Sequence, residues 1–286
     1  VFREIYLERG YRLREIPELI LTKNIYGIDI DDRAAQLAGF ALMMKAREDD
    51  RRIFQRVEDG EVSLNVFSLQ STEGLDITTV WKGLDLEGNQ QIGSTGGLFD
   101  ESTDVIPANA GIYKEYFELL QMLKSVFLQA KTLGSLIQIE NEHLTNLVAL
   151  KELLQVKEEY SDPSAKQAAS SLMPIVSQAI LLAQLYDVIV ANPPYMGSKG
   201  MNSELKKFTG KMYPNSKSDL FSVYIERCLD FGVNNSEIGL LTPYVWMFIL
   251  SYQKLRERIL KEHTLTSLVQ LEYNAFEPAC IPVCAF

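Results

Sequence analysis

The sequence predicts an α/β fold with a helical insertion. Three observations carry that prediction. Short apolar runs alternate with amphipathic helix patterns near both ends of the chain, which is the rhythm of a mostly parallel sheet. The stretch between them loses that rhythm and turns helical. One run, "YDVIVA" at 186–191, is nearly all apolar, as expected of a strand covered on both faces.

The elements follow in order. "FREIYLERGYRLREIPELILTKN" reads as helical, broken at Pro17, and "IYGIDI" as a short buried strand. "DDRAAQLAGFALMMKAR" is an amphipathic helix with Asp31 or Asp32 placed to cap its start. "EVSLNVF" is the next strand. Residues 71–110 are rich in Gly, Ser, Thr and Asp and predict loops or a small excursion. Residues 111–185 predict two or three helices, with Tyr116, Leu120, Leu123 and Phe127, then Leu172, Val176 and Ala179, at helical spacing. After "YDVIVA" come a lysine-bearing loop and the helix "SDLFSVYIERCLDFG". "EIGLLTP", "SYQKLRERILKE", "LTSLVQLE" and "IPVCAF" then read as strand, helix, strand and strand. The organisation expected is a first α/β part at 1–70, a loop-rich insertion at 71–110, a helical insertion at 111–185 and a second α/β part at 186–286.

Composition narrows the function. The 286 residues are 47% hydrophobic, enough for one large or two modest cores. A net charge of -10 speaks against a general polyanion binder, while leaving room for a local basic patch. Three cysteines without CxxC spacing fit a reducing cytoplasm, and two histidines are too few for a His-based zinc site, so no metal is expected. No apolar run reaches membrane-spanning length and no signal peptide is visible, so a cytoplasmic protein is expected. The chain opens at Val1 in mid-helix and stops inside a strand pattern, which predicts a piece of a longer protein.

Asn192-Pro193-Pro194-Tyr195 stops the apolar run at the carboxyl end of its strand, where open α/β sheets place ligands. The Asn192 side-chain oxygen is an acceptor. Two prolines lack N–H donors, stiffen the turn and aim the Pro193 carbonyl outward. Two acceptors converging on one point suit an NH2 group, and Tyr195 offers a face for a planar partner. Such an amine holds its lone pair in conjugation. Acceptors on its protons push the nitrogen toward sp3 geometry, free the lone pair and stabilise the charge that develops in attack on an electrophilic methyl group. Chance occurrence of these four letters in this length is roughly one in a thousand, which sets the motif above a plain rigid turn.

Other positions are candidates beside it. Asp29, at the tip of "YGID", can bind two ribose hydroxyls, and Ile30 can pack on a purine; the alternative is that the acids only cap the helix, which is the expected role of Asp31 and Asp32. Asn65 or Phe67, at the tip of a third strand, is a candidate base contact, with strand-end packing as the other reading. The loop after the motif holds Lys199, Lys206, Lys207, Lys211 and Lys217 against the single acid Glu204, which favours phosphate contact over a plain solvated loop; Phe208 and Tyr213 add aromatic surface. Phe276 is either a second stacking face or core.

Together these residues resemble the amino-methyltransferases that act on adenine N6 in DNA. The NPPY motif after a buried strand is that family's signature. "YGIDID" is similar to its second motif, whose acid holds the ribose of S-adenosylmethionine, and "GLLTPYVWM" and "FEPACIPVC" are similar to its later strands. Within the family the likeness is to the adenine-specific methyltransferases of bacterial BREX phage-defence systems. "IPELILTKNIYGIDIDDRAAQLAGFALMMKAR", "AKTLGSLIQI", "NPPYMGSKGMNSELKKF" and "TPYVWMFILSYQKLRERIL" carry it. The resemblance implies a Rossmann-type S-adenosylmethionine-dependent methyltransferase sheet, incomplete here, because the family's Gly-rich first motif is missing. A gap or rearranged centre in the sheet and weak cofactor binding by this chain are therefore expected. Where the family's third motif usually carries an acid, Asn65 stands, and the target-recognition region belongs beyond residue 286.

The resemblance further implies double-stranded DNA with a flipped adenine as partner, together with other defence-system proteins. Asn192 and the Pro193 carbonyl would accept from N6, and Tyr195, with Phe276, would stack on the base. Asp29 would hold the cofactor ribose, and the lysines would grip the DNA backbone. Two rival readings are a methyltransferase for a protein glutamine amide or an RNA guanine amine, and a non-catalytic DNA-binding subunit of a defence complex.

Overall fold

The computed structural model of the chain describes residues 1–86, 110–273 and 282–286. They form two compact units, Val1–Ala183 and Gln184–Phe286, each mixed α/β and each with its own sheet.

The first unit opens with helices α1 (Phe2–Glu8) and α2 (Ile16–Leu19), followed by a π-helical turn at Ile20–Asn24. The expected break at Pro17 is displaced. The chain breaks at Gly10, in a left-handed conformation at φ +83°, while Pro17 sits in the first turn of α2, where its missing N–H has no helical partner to lose. Strand β1 (Tyr26–Asp29) and helices α3 (Asp32–Arg47) and α4 (Ile53–Glu58) follow, then strand β2 (Asn65–Ser68). The Asp31 carboxylate caps α3 by accepting from the Arg33 and Ala34 N–H groups. β1 and β2 pair in parallel, Tyr26 opposite Asn65 and Asp29 opposite Ser68. Leu21, Met43, Ala46, Ile53 and Val62 form a small core in this part.

Helix α5 (Ile77–Gly83) stands in the segment whose composition predicted loops or a small excursion. Asp76 caps it, and Trp81 packs on Phe117 with ring centroids 5.5 Å apart, so a cap and one aromatic contact outweigh the local Thr and Gly content. Helices α6 (Ala110–Phe127), α7 (Ala130–Leu133), α8 (Leu144–Tyr160) and α9 (Pro163–Ala183) make up the helical part. α8 packs on α9, with Leu147, Leu150, Leu154, Leu172 and Val176 fully buried. Each large side chain buried this way contributes about 1.5–3 kcal/mol relative to an exposed one.

The second unit contains strand β3 (Tyr186–Ala191), helices α10 (Ser203–Met212) and α11 (Leu220–Asp230), strand β4 (Gly232–Pro243), helix α12 (Gln253–Glu262) and strands β5 (Val269–Gln270) and β6 (Val283–Ala285). The strand order is β3-β4-β6-β5, with β3 parallel to β4 and the other pairings antiparallel. The register shifts between Tyr186 and Val188, and β4 absorbs the extra residues around Asn235, at φ +65°. Phe221, Ile225, Leu240, Trp246, Leu255 and Cys284 form the core.

Two expectations change here. "YDVIVA" is not covered on both faces among the described residues: Ile189 and Ala191 pack on the core, while Val188 and Val190 are 59% and 81% exposed, and β3 is an edge strand of the described sheet. The lysine loop is largely helix α10, because Asn202 caps it and Leu205 and Thr209 give it a buried side. Among the described residues no strand pairs with both sheets. No helix among them is long and apolar enough to cross a membrane.

Candidate functional site

The second unit presents the motif at the carboxyl end of β3. Ala191 pairs with Leu240, so the chain leaves the sheet at Asn192 while β4 continues to Pro243. Asn192 and Pro194 are exposed, Pro193 is buried and Tyr195 is half-buried. The Tyr195 hydroxyl lies 3.2 Å from the Asn192 side-chain oxygen and 3.2 Å from the Leu241 carbonyl, and its one proton can be donated to either. Its ring meets Phe221 nearly perpendicularly, at 6.4 Å between centroids. Burial, with Cys284 nearby, pushes the Tyr195 phenol upward, so it is a protonated donor at neutral pH. An amide oxygen has two lone pairs. With one directed at Tyr195, the exposed Asn192 side chain keeps acceptor capacity for an incoming N–H.

The far side of the motif is clamped by Asp219, which the sequence reading passed over. Its carboxylate accepts from the Met196 N–H at 3.0 Å and also caps α11 through the Phe221 N–H. The Leu220 N–H donates to the Met196 carbonyl, and Gly197 and Asp219 form an isolated antiparallel bridge. Burial pushes the Asp219 carboxyl upward, opposed by the N–H groups of Phe221, Met196 and Leu220. The only trace of this in the sequence is "SDLF", an acid ahead of an apolar helix; its reach back to Met196 has no local signal.

Of the lysines, Lys206, Lys207 and Lys211 are exposed on α10 and Lys199 is exposed in the turn before it. None of them, nor Lys217, forms an ion pair among the described residues. Tyr213 is 2% exposed and belongs to the core, not to an aromatic surface, while Phe208 is half-buried against it at 6.3 Å. Phe276 and Cys280 lie outside the described residues.

In the first unit, Asp29 is exposed at the carboxyl tip of β1, with one carboxylate oxygen 2.8 Å from the Asp31 N–H. Ile30, beside it, is 39% exposed. Asp32 does not cap α3, which Asp31 does; it ties other elements together instead. It accepts from Lys131 at 2.6 Å and from the Gln70 side chain at 2.9 Å, and Lys131 also donates to the Ile30 carbonyl at 3.2 Å. The Lys131 ammonium, then Ser68 and Gln70, hold the Asp32 carboxyl well below the ordinary aspartate range. Gln178 of α9 fixes the Gln70 backbone in turn, accepting from its N–H at 2.7 Å and donating to its carbonyl at 3.0 Å. The tips of β1 and β2 are thus tied to the helical part of the same unit.

Asn65 is a correction. It begins β2 instead of ending it, so it stands at the opposite end of the strand from Asp29. Its side-chain amide donates to the Thr22 carbonyl at 2.8 Å and to the Leu21 carbonyl at 3.4 Å, satisfying the end of the π-helical turn. Phe67 lies near the tip of β2 and lines a cleft of about 540 Å³ together with Asp32, Ser68, Gln70 and residues of α3 and α9.

Comparison with known proteins places these features in a family context. The model of the Eco57I restriction-modification methylase family matches residues 23–276. The chain is 45% identical over 276 residues to the adenine-specific methyltransferase BrxX of Escherichia coli O9:H4 (strain HS), covering 96% of this chain and 22% of that protein. It is 33% identical over 282 residues to the adenine-specific methyltransferase PglX of Lacticaseibacillus casei (strain Zhang), covering 97% of this chain and 21% of that one. The chain therefore spans about a fifth of the length of these curated relatives.

Proposed function

The chain belongs to the Eco57I restriction-modification methylase family, and from that premise we propose that the protein transfers a methyl group from S-adenosylmethionine to N6 of an adenine flipped out of duplex DNA. The fold this reading assigns is the Rossmann-type methyltransferase sheet. The setting it assigns is a phage-defence system of the BREX type, with double-stranded DNA and other proteins of that system as partners.

The observation that carries the reading is the exposed Asn192 amide held at the end of β3 with its oxygen 3.2 Å from the Tyr195 hydroxyl. Asn192 and the Pro193 carbonyl accept from the adenine amine and draw its nitrogen out of conjugation. The nitrogen lone pair is then available to a methyl carbon on its other side, and the positive charge that builds on N6 meets two fixed dipoles. The Tyr195 hydroxyl keeps the Asn192 oxygen in place, and the half-buried ring lends a planar surface to the base. A paired adenine cannot present its amine, so the base leaves the duplex first.

S-adenosylmethionine supplies an electrophilic methyl group when bound. Asp29 fits its ribose diol, as an exposed carboxylate at a strand tip with one oxygen oriented by the Asp31 N–H, and Ile30 offers adjacent apolar surface for the purine. Bond making at N6 and breaking at the sulfonium leave a neutral thioether, and the alkylated nitrogen sheds its proton to water. Lys199, Lys206, Lys207 and Lys211, without an ion pair among the described residues, supply positive charge for DNA phosphates.

Asn192→Ala in the complete protein tests the assignment. It removes one of two acceptors, so adenine methylation of host DNA is expected to fall by about 10²–10³-fold, with an unchanged melting temperature, because the side chain is exposed. RNA and protein offered as acceptors to the wild type are expected to stay unmodified. Host adenine methylation that survives the substitution intact would overturn the reading.

A further inference from the structure

Just past β4 the second unit carries three consecutive exposed apolar residues: Phe248 at 70%, Ile249 at 47% and Leu250 at 78% exposure. They stand on the same rim as the NPPY motif. β3 and β4 run parallel with Ala191 opposite Leu240, so both chains leave the sheet at one end, and the Tyr195 hydroxyl touches the Leu241 carbonyl on that rim.

The segment is also held stiffly. The Arg256 guanidinium donates to the Trp246 carbonyl at 2.6 Å and to the Ile249 carbonyl at 2.7 Å. The Phe248 and Ile249 N–H groups both donate to the Val245 carbonyl at 3.1 Å, and the Tyr252 N–H donates to the Ile249 carbonyl. Trp246 and Tyr252, on either side, are buried, and the Phe248 ring meets Tyr244 edge to face at 5.9 Å. Lys254, exposed at the start of α12, forms no ion pair among the described residues. A stiff apolar knuckle a few residues before an exposed lysine, on the rim that carries the site for a flipped base, has the composition of a wedge.

We infer that Phe248 and Leu250 enter the base stack of the duplex and fill the space left by the flipped adenine. The inference rests on the adenine-methylation reading. Flipping unstacks a base and leaves its partner thymine without a neighbour. An apolar side chain inserted there restores stacking contact and keeps water out, as wedges do in proteins that kink DNA. Lys254 then meets a phosphate of the same step.

The test is the double substitution Phe248→Ala with Leu250→Ala in the complete protein, assayed on a duplex bearing the sequence that the wild type methylates in host DNA. A second duplex places the target adenine opposite an abasic site, so that it is already unpaired. The variant is expected to lose roughly tenfold or more in methylation of the paired duplex and to recover near wild-type rates on the abasic one. 2-Aminopurine at the target position should brighten with wild type and not with the variant. Equal loss on both duplexes, or no loss on the paired one, overturns the wedge and leaves the methylation reading standing. A change of mass in solution also overturns it, because the patch would then be a contact between copies. A wild type that methylates no adenine overturns the functional reading, and the wedge with it.

Discussion

The Tyr195 hydroxyl lies 3.2 Å from the Asn192 side-chain oxygen and from the Leu241 carbonyl, and with one proton it can serve one of them at a time. That sharing ties the proposed acceptor to a neighbouring strand. Tyr195→Phe removes the hydroxyl and keeps the ring, so it separates orientation of Asn192 from stacking on the base. The lost bond is a net 0.5–1.5 kcal/mol on the usual scale, which predicts a drop of about two- to tenfold in turnover with little change in DNA affinity. Single-turnover methylation by the complete protein measures this, and an unchanged rate would remove Tyr195 from the positioning of Asn192. The place of Asn192–Tyr195 at the end of its strand was legible in the sequence because four adjacent residues carry the signal. Asp219 was not, because its bond to the Met196 N–H spans 23 residues and exists only after α11 has docked.

At the scale of elements, the sequence showed strands and long amphipathic helices well and short capped helices badly. α5 and α10 lie in segments whose Gly, Thr, Ser and Lys content reads as loop, yet Asp76 and Asn202 cap them and Ile77 and Leu205 anchor them. Asn65 was misplaced for a related reason. "EVSLNVF" suggested a strand ending near residue 67, but the paired segment starts at Asn65, and a shift of this size moves a residue from one end of a four-residue strand to the other. The tie between Lys131 and Asp32 was invisible, since it joins residues 99 apart. It makes a prediction. The Asp32 carboxyl is held below its ordinary value in the folded chain, so its contribution to stability is present above the ordinary aspartate range and is lost as pH falls toward the folded value. Asp32→Asn should therefore lower the melting temperature at about pH 7 and make progressively less difference below about pH 4. A gap between wild type and variant that stays constant through that range would show that Lys131 and Asp32 do not act as an ion pair.

The whole molecule is where the sequence and the structure differ most. "YDVIVA" has apolar residues on both faces and suggested a central strand. In the structure Ile189 and Ala191 face the core, Val188 and Val190 face outward, and the other backbone edge of β3 has no strand partner among the described residues. A β-branched edge with one acidic residue is a template for pairing with a second strand. Its sequence also has the high β-propensity and low charge of self-associating segments. The 286-residue chain is therefore expected to self-associate as its concentration rises. Val190→Lys places a charge on the exposed face, where it touches no core residue, and should suppress that association without lowering the melting temperature. Light scattering across a concentration series, with melting followed in parallel, reads both quantities. Association that is undiminished by the lysine would mean that β3 is not the surface responsible. A lower melting temperature would mean that Val190 is packed in solution, and the exposed-face description of β3 would then be wrong.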